Sequence, residues 1–188
     1  MIATALSNIR KAGKGEAEPL RQRSVIAAVA GRVDAAPDLD ALILIGSFAK
    51  GTADEASDVD MIVAVSEAKF ESAWEARSTL QPSGTVAEWD IRPDREREVG
   101  SHRFLTREIV KVEILLATPS SGVQLANPFV VIAGDQSAAE RFVRIPPIDP
   151  EVLRDYAQSL REDDVLPEVE LRYSDLMRAI RHAPSNVS

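Results

Sequence analysis

Cysteine is missing from the chain, and with it go disulfides, thiolate zinc sites and thiol catalysis. An excess of basic charge is missing too: Lys and Arg number 22 against 30 Asp and Glu, a formal net charge of −8 over 188 residues. A chain this acidic repels a polynucleotide backbone unless it carries a segregated basic face, because phosphate neutralisation supplies most non-specific binding. The one arginine-dense stretch, 92–107, is interleaved with Asp94, Glu96 and Glu98 and followed by Glu108, so it reads as a solvated segment of mixed charge. Long nucleic acid is therefore not expected as a partner. No apolar run approaches the ~20 residues needed to span a bilayer, and the first residues lack the apolar stretch of a signal peptide. These two absences place the protein in the cytoplasm and away from membranes. Neither a Ser-His-Asp nor a Cys-His arrangement is legible, and there is no internal repeat or low-complexity tract.

What is present suits a small enzyme. Hydrophobic residues make up 45% of the chain, enough to bury the core of one domain with a small appendage. A polar arm over 1–18 leads to a helix over 19–32 with an apolar stripe of Leu20, Ile26, Val29 and Val33. Ala41-Leu42-Ile43-Leu44-Ile45 is a continuous apolar run that reads as a buried strand. Further strands are expected over 58–65, 85–91 and 128–134, and a hairpin over 102–106 and 109–116 with its turn at Arg107-Glu108. A helix is expected over 67–80, ended by Pro82 and Gly84. The fold class is then α/β (α+β), a mixed sheet with helices on one side. One domain covers 19–145, and 146–188 forms a short helical C-terminal segment split by Pro167.

The chemistry concentrates in one stretch. Gly46-Ser47 follows the apolar strand at a strand-to-helix corner, where glycine permits close backbone approach and a serine with free N–H groups suits an anionic phosphate. Ten residues after Ser47 comes Asp58-Val59-Asp60-Met61-Ile62-Val63-Ala64-Val65, whose period of two puts Asp58 and Asp60 on one face of a strand and Val59, Met61, Val63 and Val65 on the other. Two carboxylates that close raise each other's pKa unless a cation joins them, and magnesium, a hard oxygen-seeking ion, answers that need. Two such ions clamp the attacking and leaving oxygens of an in-line displacement. A third carboxylate is then wanted. Glu113 interrupts an otherwise apolar strand and is the preferred candidate, with Asp90 in Thr85-Val86-Ala87-Glu88-Trp89-Asp90-Ile91 as the competitor. Lys50, Arg92, Arg103 and Lys111 are the cations available to neutralise phosphate, Lys50 being favoured because it lies in the motif. His102 is expected to be a surface or hydrogen-bonded residue rather than a base.

Gly46-Ser47, the spacer, Asp58-x-Asp60 in an apolar strand and a later strand bearing Glu113 together resemble the DNA polymerase beta superfamily of nucleotidyltransferases, in its small-molecule, aminoglycoside-type or minimal branch. The resemblance covers residues 20–117. It implies that Gly46 and Ser47 hold nucleotide phosphates and that Asp58, Asp60 and Glu113 bind divalent metal and carry catalysis. Glu113 stands where aspartate is commoner in the family, which adds a methylene to its reach, and Phe48 stands where many members are polar or basic. The expected activity is transfer of a nucleoside monophosphate, AMP from ATP, onto a hydroxyl of a small acceptor with release of pyrophosphate. Asp163, Asp164 or Glu168 in the tail would supply a base if the tail completes the site. The alternative is a minimal nucleotidyltransferase that binds or modifies a partner protein, or a nucleotide-binding relic, and a homodimer would be another way to complete the site walls.

Overall fold

The computed structural model describes residues 20–92 and 97–145. Inter-residue contacts divide the chain into two units, Met1–Ile145 and Pro146–Ser188, and the described residues all lie in the first. The helices expected over 151–182, the bases considered there and the 1–18 arm fall outside them.

Helix α1 (Gln22–Ala35) is followed by β1 (Ala41–Leu44), the short helix α2 (Gly46–Lys50), β2 (Val59–Ala64) and α3 (Phe70–Glu75). Then come β3 (Thr85–Ile91), β4 (Val99–Thr106), β5 (Lys111–Ala117), β6 (Gln124–Ala126), β7 (Val130–Gly134) and β8 (Val143–Ile145). Six strands form one sheet in the order β3-β4-β5-β2-β1-β7. It is mixed: β2 runs parallel to β5, and the other neighbours are antiparallel.

Each face of this sheet carries its own apolar layer. The α1 stripe, Ile26, Val29 and Val33, packs with Met61, Val63, Phe70, Ile114 and Leu116 on the first face. On the second face, Ile43, Ile62 and Ala64 meet Leu125, Ala138, Ala139 and Phe142. The described α-helices contribute their buried residues to the first layer, in line with the expected helices on one side. The second face is closed by the 3₁₀ turn Gln136–Arg141 and by β6 and β8, which pair with each other in parallel. Their three-residue strands are too short to leave an alternating pattern in the sequence.

The helix expected over 67–80 is corrected: only Phe70–Glu75 is α-helical, flanked by 3₁₀ turns at Glu67–Lys69 and Arg77–Leu80. Local side chains take the carbonyls a longer helix would use. Ser72 Oγ donates to Lys69 O, Arg77 Nη1 to Trp74 O and Thr79 Oγ1 to Ala76 O, the competition by which serine and threonine disfavour helix interiors. Phe70 and Trp74 stack with ring centroids 6.5 Å apart. Trp74 in turn fills the space over Gly100 of β4, where an added Cβ would lie 2.3–2.8 Å from its ring carbons. Gly100→Ala is expected to lower stability by about 1–3 kcal/mol, the usual cost of overpacking, as read from denaturant midpoints at unchanged slope.

The mixed-charge stretch 92–107 is not simply solvated. Its second half is β4, a central strand with Ser101, His102, Phe104 and Thr106 buried. Arg103, the one formally charged residue of β4, lies on the second face beside Glu113.

Candidate active site

The site forms where the second apolar layer ends. Along β2 that face reads Asp60, Ile62, Ala64, and along β5 it reads Glu113, Leu115, Ala117, in parallel register with Asp60 opposite Glu113. Strand alternation therefore sets Asp60 and Glu113 side by side at the N-terminal ends of adjacent parallel strands, just beyond the apolar cover. Asp58 immediately precedes β2. The opposite face of β2, Val59, Met61 and Val63, is buried against the α1 layer.

The corner after β1 closes onto the same point. Ile45 N donates to Asp60 O at 3.1 Å, which holds the start of α2 against β2. Gly46 follows with φ +66, and a Cβ there would stand 2.7 Å from Asp60 Oδ2. Only glycine supplies both that dihedral and that clearance. Ser47 is half-buried in the first turn of α2, and Phe48 is 2% exposed in the core. Phe48 is thus the apolar anchor of the short helix. Lys50 is exposed at the C-terminal end of α2.

The loop from α2 to β2 is pinned from below. Gln22, 1% exposed on α1, brings its Nε2 within 3.0–3.1 Å of the carbonyls of Asp54, Glu55 and Ser57. Ser57 Oγ donates to Asp54 Oδ1 at 2.8 Å and accepts from Asp54 N at 2.9 Å. These bonds fix the entry to Asp58. Gln22 could not be singled out in the sequence, where a helical glutamine reads as a surface residue.

Electrostatics distinguish the three acids. Lys111 Nζ donates to Asp58 Oδ2 at 2.9 Å, and Arg103 Nη2 donates to Glu113 Oε1 at 2.8 Å. Among the described residues no donor hydrogen-bonds the Asp60 carboxylate. Its pKa is pushed up from the ordinary 3.8, first by burial and then by the charges of Asp58 and Glu113, against the opposing pull of Lys111 and Arg103. Among the described residues no three acids are gathered into a ready metal cluster. The donor set is nonetheless all carboxylate oxygen, which suits magnesium rather than a softer ion. The raised pKa of Asp60 marks a position that an added cation relieves.

Other candidates lie elsewhere. Asp90, the competitor of Glu113, is bound on edge strand β3 by Arg77 and by His102 Nδ1 at 2.7 Å. His102 is 1% exposed, with Gln81 Nε2 3.0 Å from its other ring nitrogen, so it is a hydrogen-bonded core residue. Arg92 pairs with Glu71 and lies over the Phe70 and Trp74 rings. Of the four cations weighed in the sequence, Lys111 and Arg103 are the two that touch the acids.

A family profile described as "Nucleotidyltransferase domain" matches residues 29–134. No curated protein matches the chain in sequence. Among solved structures, a cytoplasmic RNA terminal U-transferase is similar at a TM-score of 0.41 and 15% identity, covering 61% of this chain and 34% of that one. The Cid1 poly(U) polymerase gives a TM-score of 0.41 and 15% identity over 61% and 35% of the two chains. The same enzyme with Mg 3'-dATP bound gives 0.42 and 13% over 63% and 36%. This chain thus spans about a third of the length of those proteins.

Proposed function

Because the chain belongs to the nucleotidyltransferase domain family, we propose that it is a magnesium-dependent enzyme transferring a nucleoside monophosphate, AMP from ATP, to a hydroxyl of a small acceptor. The observation that carries this reading is the register pairing Asp60 with Glu113, with Gly46 backed onto the Asp60 carboxylate. Gly46 and Ser47 hold the triphosphate through backbone N–H groups and the Ser47 hydroxyl. Lys50, exposed at the far end of α2, adds positive charge to that edge. Asp58, Asp60 and Glu113 hold divalent metal. When bound, magnesium supplies charge neutralisation at the phosphates and at the attacking and leaving oxygens.

In the transfer, an acceptor oxygen forms a bond to the α-phosphorus while the bond to the β-phosphate oxygen breaks, and pyrophosphate leaves with the electron pair. The hydroxyl proton passes to a carboxylate of the acidic set. Lys111 and Arg103 pair with Asp58 and Glu113 beside the half-buried Asp60, adding positive charge at the edge where the phosphates would lie. We assign the reaction to the cytoplasm, where nucleoside triphosphates and magnesium are found together. Among the described residues no helix is long and apolar enough to cross a membrane.

The net charge of −8 supports a small or cationic acceptor over a polynucleotide. Incubation with α-labelled ATP and magnesium, offered polyhydroxylated small molecules and oligonucleotides in parallel, tests this choice. Label is expected on a small hydroxyl compound together with free pyrophosphate. Label only on oligonucleotide would remove the small acceptor from the reading.

A further inference from the structure

Glu113 leans toward β4. Its Oε1 accepts from Ser101 Oγ at 2.8 Å and from Arg103 Nη2 at 2.8 Å, and Arg103 Nε donates to Ser101 Oγ at 3.0 Å. The triangle follows from the sheet: Arg103 is opposite Glu113 in the β4–β5 register, and Ser101, two residues away, shares its face. Ser101 is 6% exposed, so water competes little for its hydroxyl. Both donors meet on a single oxygen.

A glutamate has one more rotatable bond than an aspartate, and an unrestrained carboxylate would sample many directions at that end of β5. The triangle removes this freedom. It takes up the extra methylene by drawing the carboxylate toward β4, while Glu113 stays beside Asp60 on β5. The serine hydroxyl, polarised by the guanidinium it accepts from, donates more strongly to the carboxylate.

We infer that Ser101 is a positioning residue of this site: with Arg103 it immobilises Glu113 through Oε1 and leaves the second carboxylate oxygen for a divalent cation shared with Asp60 and Asp58. The inference rests on the metal-binding reading given above. Groups that orient ligand carboxylates typically govern metal affinity by 10–100-fold.

Calorimetric titration of manganese(II), as a probe ion, into the nucleotide-free full chain tests it. Ser101→Ala is expected to weaken binding by about 10-fold, with thermal unfolding in the absence of metal confirming that the variant is folded. In a Glu113→Gln background the same change should have no further effect, because the serine acts through that carboxylate. Turnover should show a lower kcat with the KM for triphosphate unchanged. Unaltered affinity in folded Ser101→Ala, or an equal loss in both backgrounds, would overturn the inference while leaving the metal site intact. Asp58→Asn separates the two levels: if it binds manganese as tightly as the parent, the metal reading falls and this inference with it.

Discussion

Asp60→Asn is expected to abolish nucleotide transfer and, at the same time, to make the metal-free protein more stable. The loss of activity should reach about 10³-fold or more, since the charge stabilisation supplied through a metal clamp amounts to several kcal/mol and each 1.36 kcal/mol is tenfold in rate. The gain in stability follows from the environment of the carboxylate. Burial, Asp58 and Glu113 raise its pKa above the ordinary 3.8, so the folded state holds the proton to higher pH than the unfolded state does. Stability attributable to this group therefore falls as pH rises from the ordinary value through the raised one, and the penalty is complete above the raised value. Asparagine never ionises and escapes it. Differential scanning calorimetry at pH 7 with chelator should show a higher Tm for the variant, and the difference should shrink as pH falls below the ordinary carboxylate range. A lower Tm at pH 7 would mean that Asp60 is a stabilising structural residue.

Gly46→Ala is expected to be nearly as damaging to activity, for a different reason. A Cβ at this position would stand 2.7 Å from Asp60 Oδ2, and the backbone there has φ +66. Alanine in the left-handed region costs about 1–2 kcal/mol. The clash must further be relieved by turning the Asp60 carboxylate aside or moving α2 away from β2. A displacement of about 1 Å at a reacting centre costs on the order of 10²-fold in rate. Turnover should thus fall about 100-fold while denaturant unfolding reports a loss of only 1–2 kcal/mol. Gly51→Ala is the control: it too has positive φ, at 71, but a Cβ there meets nothing within 4 Å, so it should share the stability cost without the loss of turnover.

The parts of this site that could be read in the sequence are those governed by local periodicity. The apolar run 41–45, the glycine corner and the alternation through Asp58-Val59-Asp60 each follow from strand geometry. Glu113 stood out because a charge in an apolar strand calls for a partner. Its preference over Asp90 depended on which strand lies beside β2, and that is a matter of topology: β5 does, while β3 is at the edge. The same holds for the cations. Lys50 lies in the motif by sequence, yet Lys111 and Arg103 meet the acids, because the β2–β5 and β4–β5 registers bring them there. Gln22 and Ser101 left no local signal, since their roles depend on hydrogen bonds to segments 32–35 and 12 residues away. The broken helix over 67–80 reflects side-chain bonds to backbone that outweigh helical periodicity.

Asp58, Asp60 and Glu113 are proposed to bind a metal–triphosphate complex against the Gly46-Ser47 corner. Calorimetric titration of ATP, GTP, CTP and UTP, each with magnesium, into the parent chain and Asp58→Asn addresses it most directly. Saturable, magnesium-dependent binding of ATP to the parent is expected, lost on chelation and lost in Asp58→Asn. Absence of binding by any of the four to the folded parent, or binding that persists undiminished in Asp58→Asn, would contradict it.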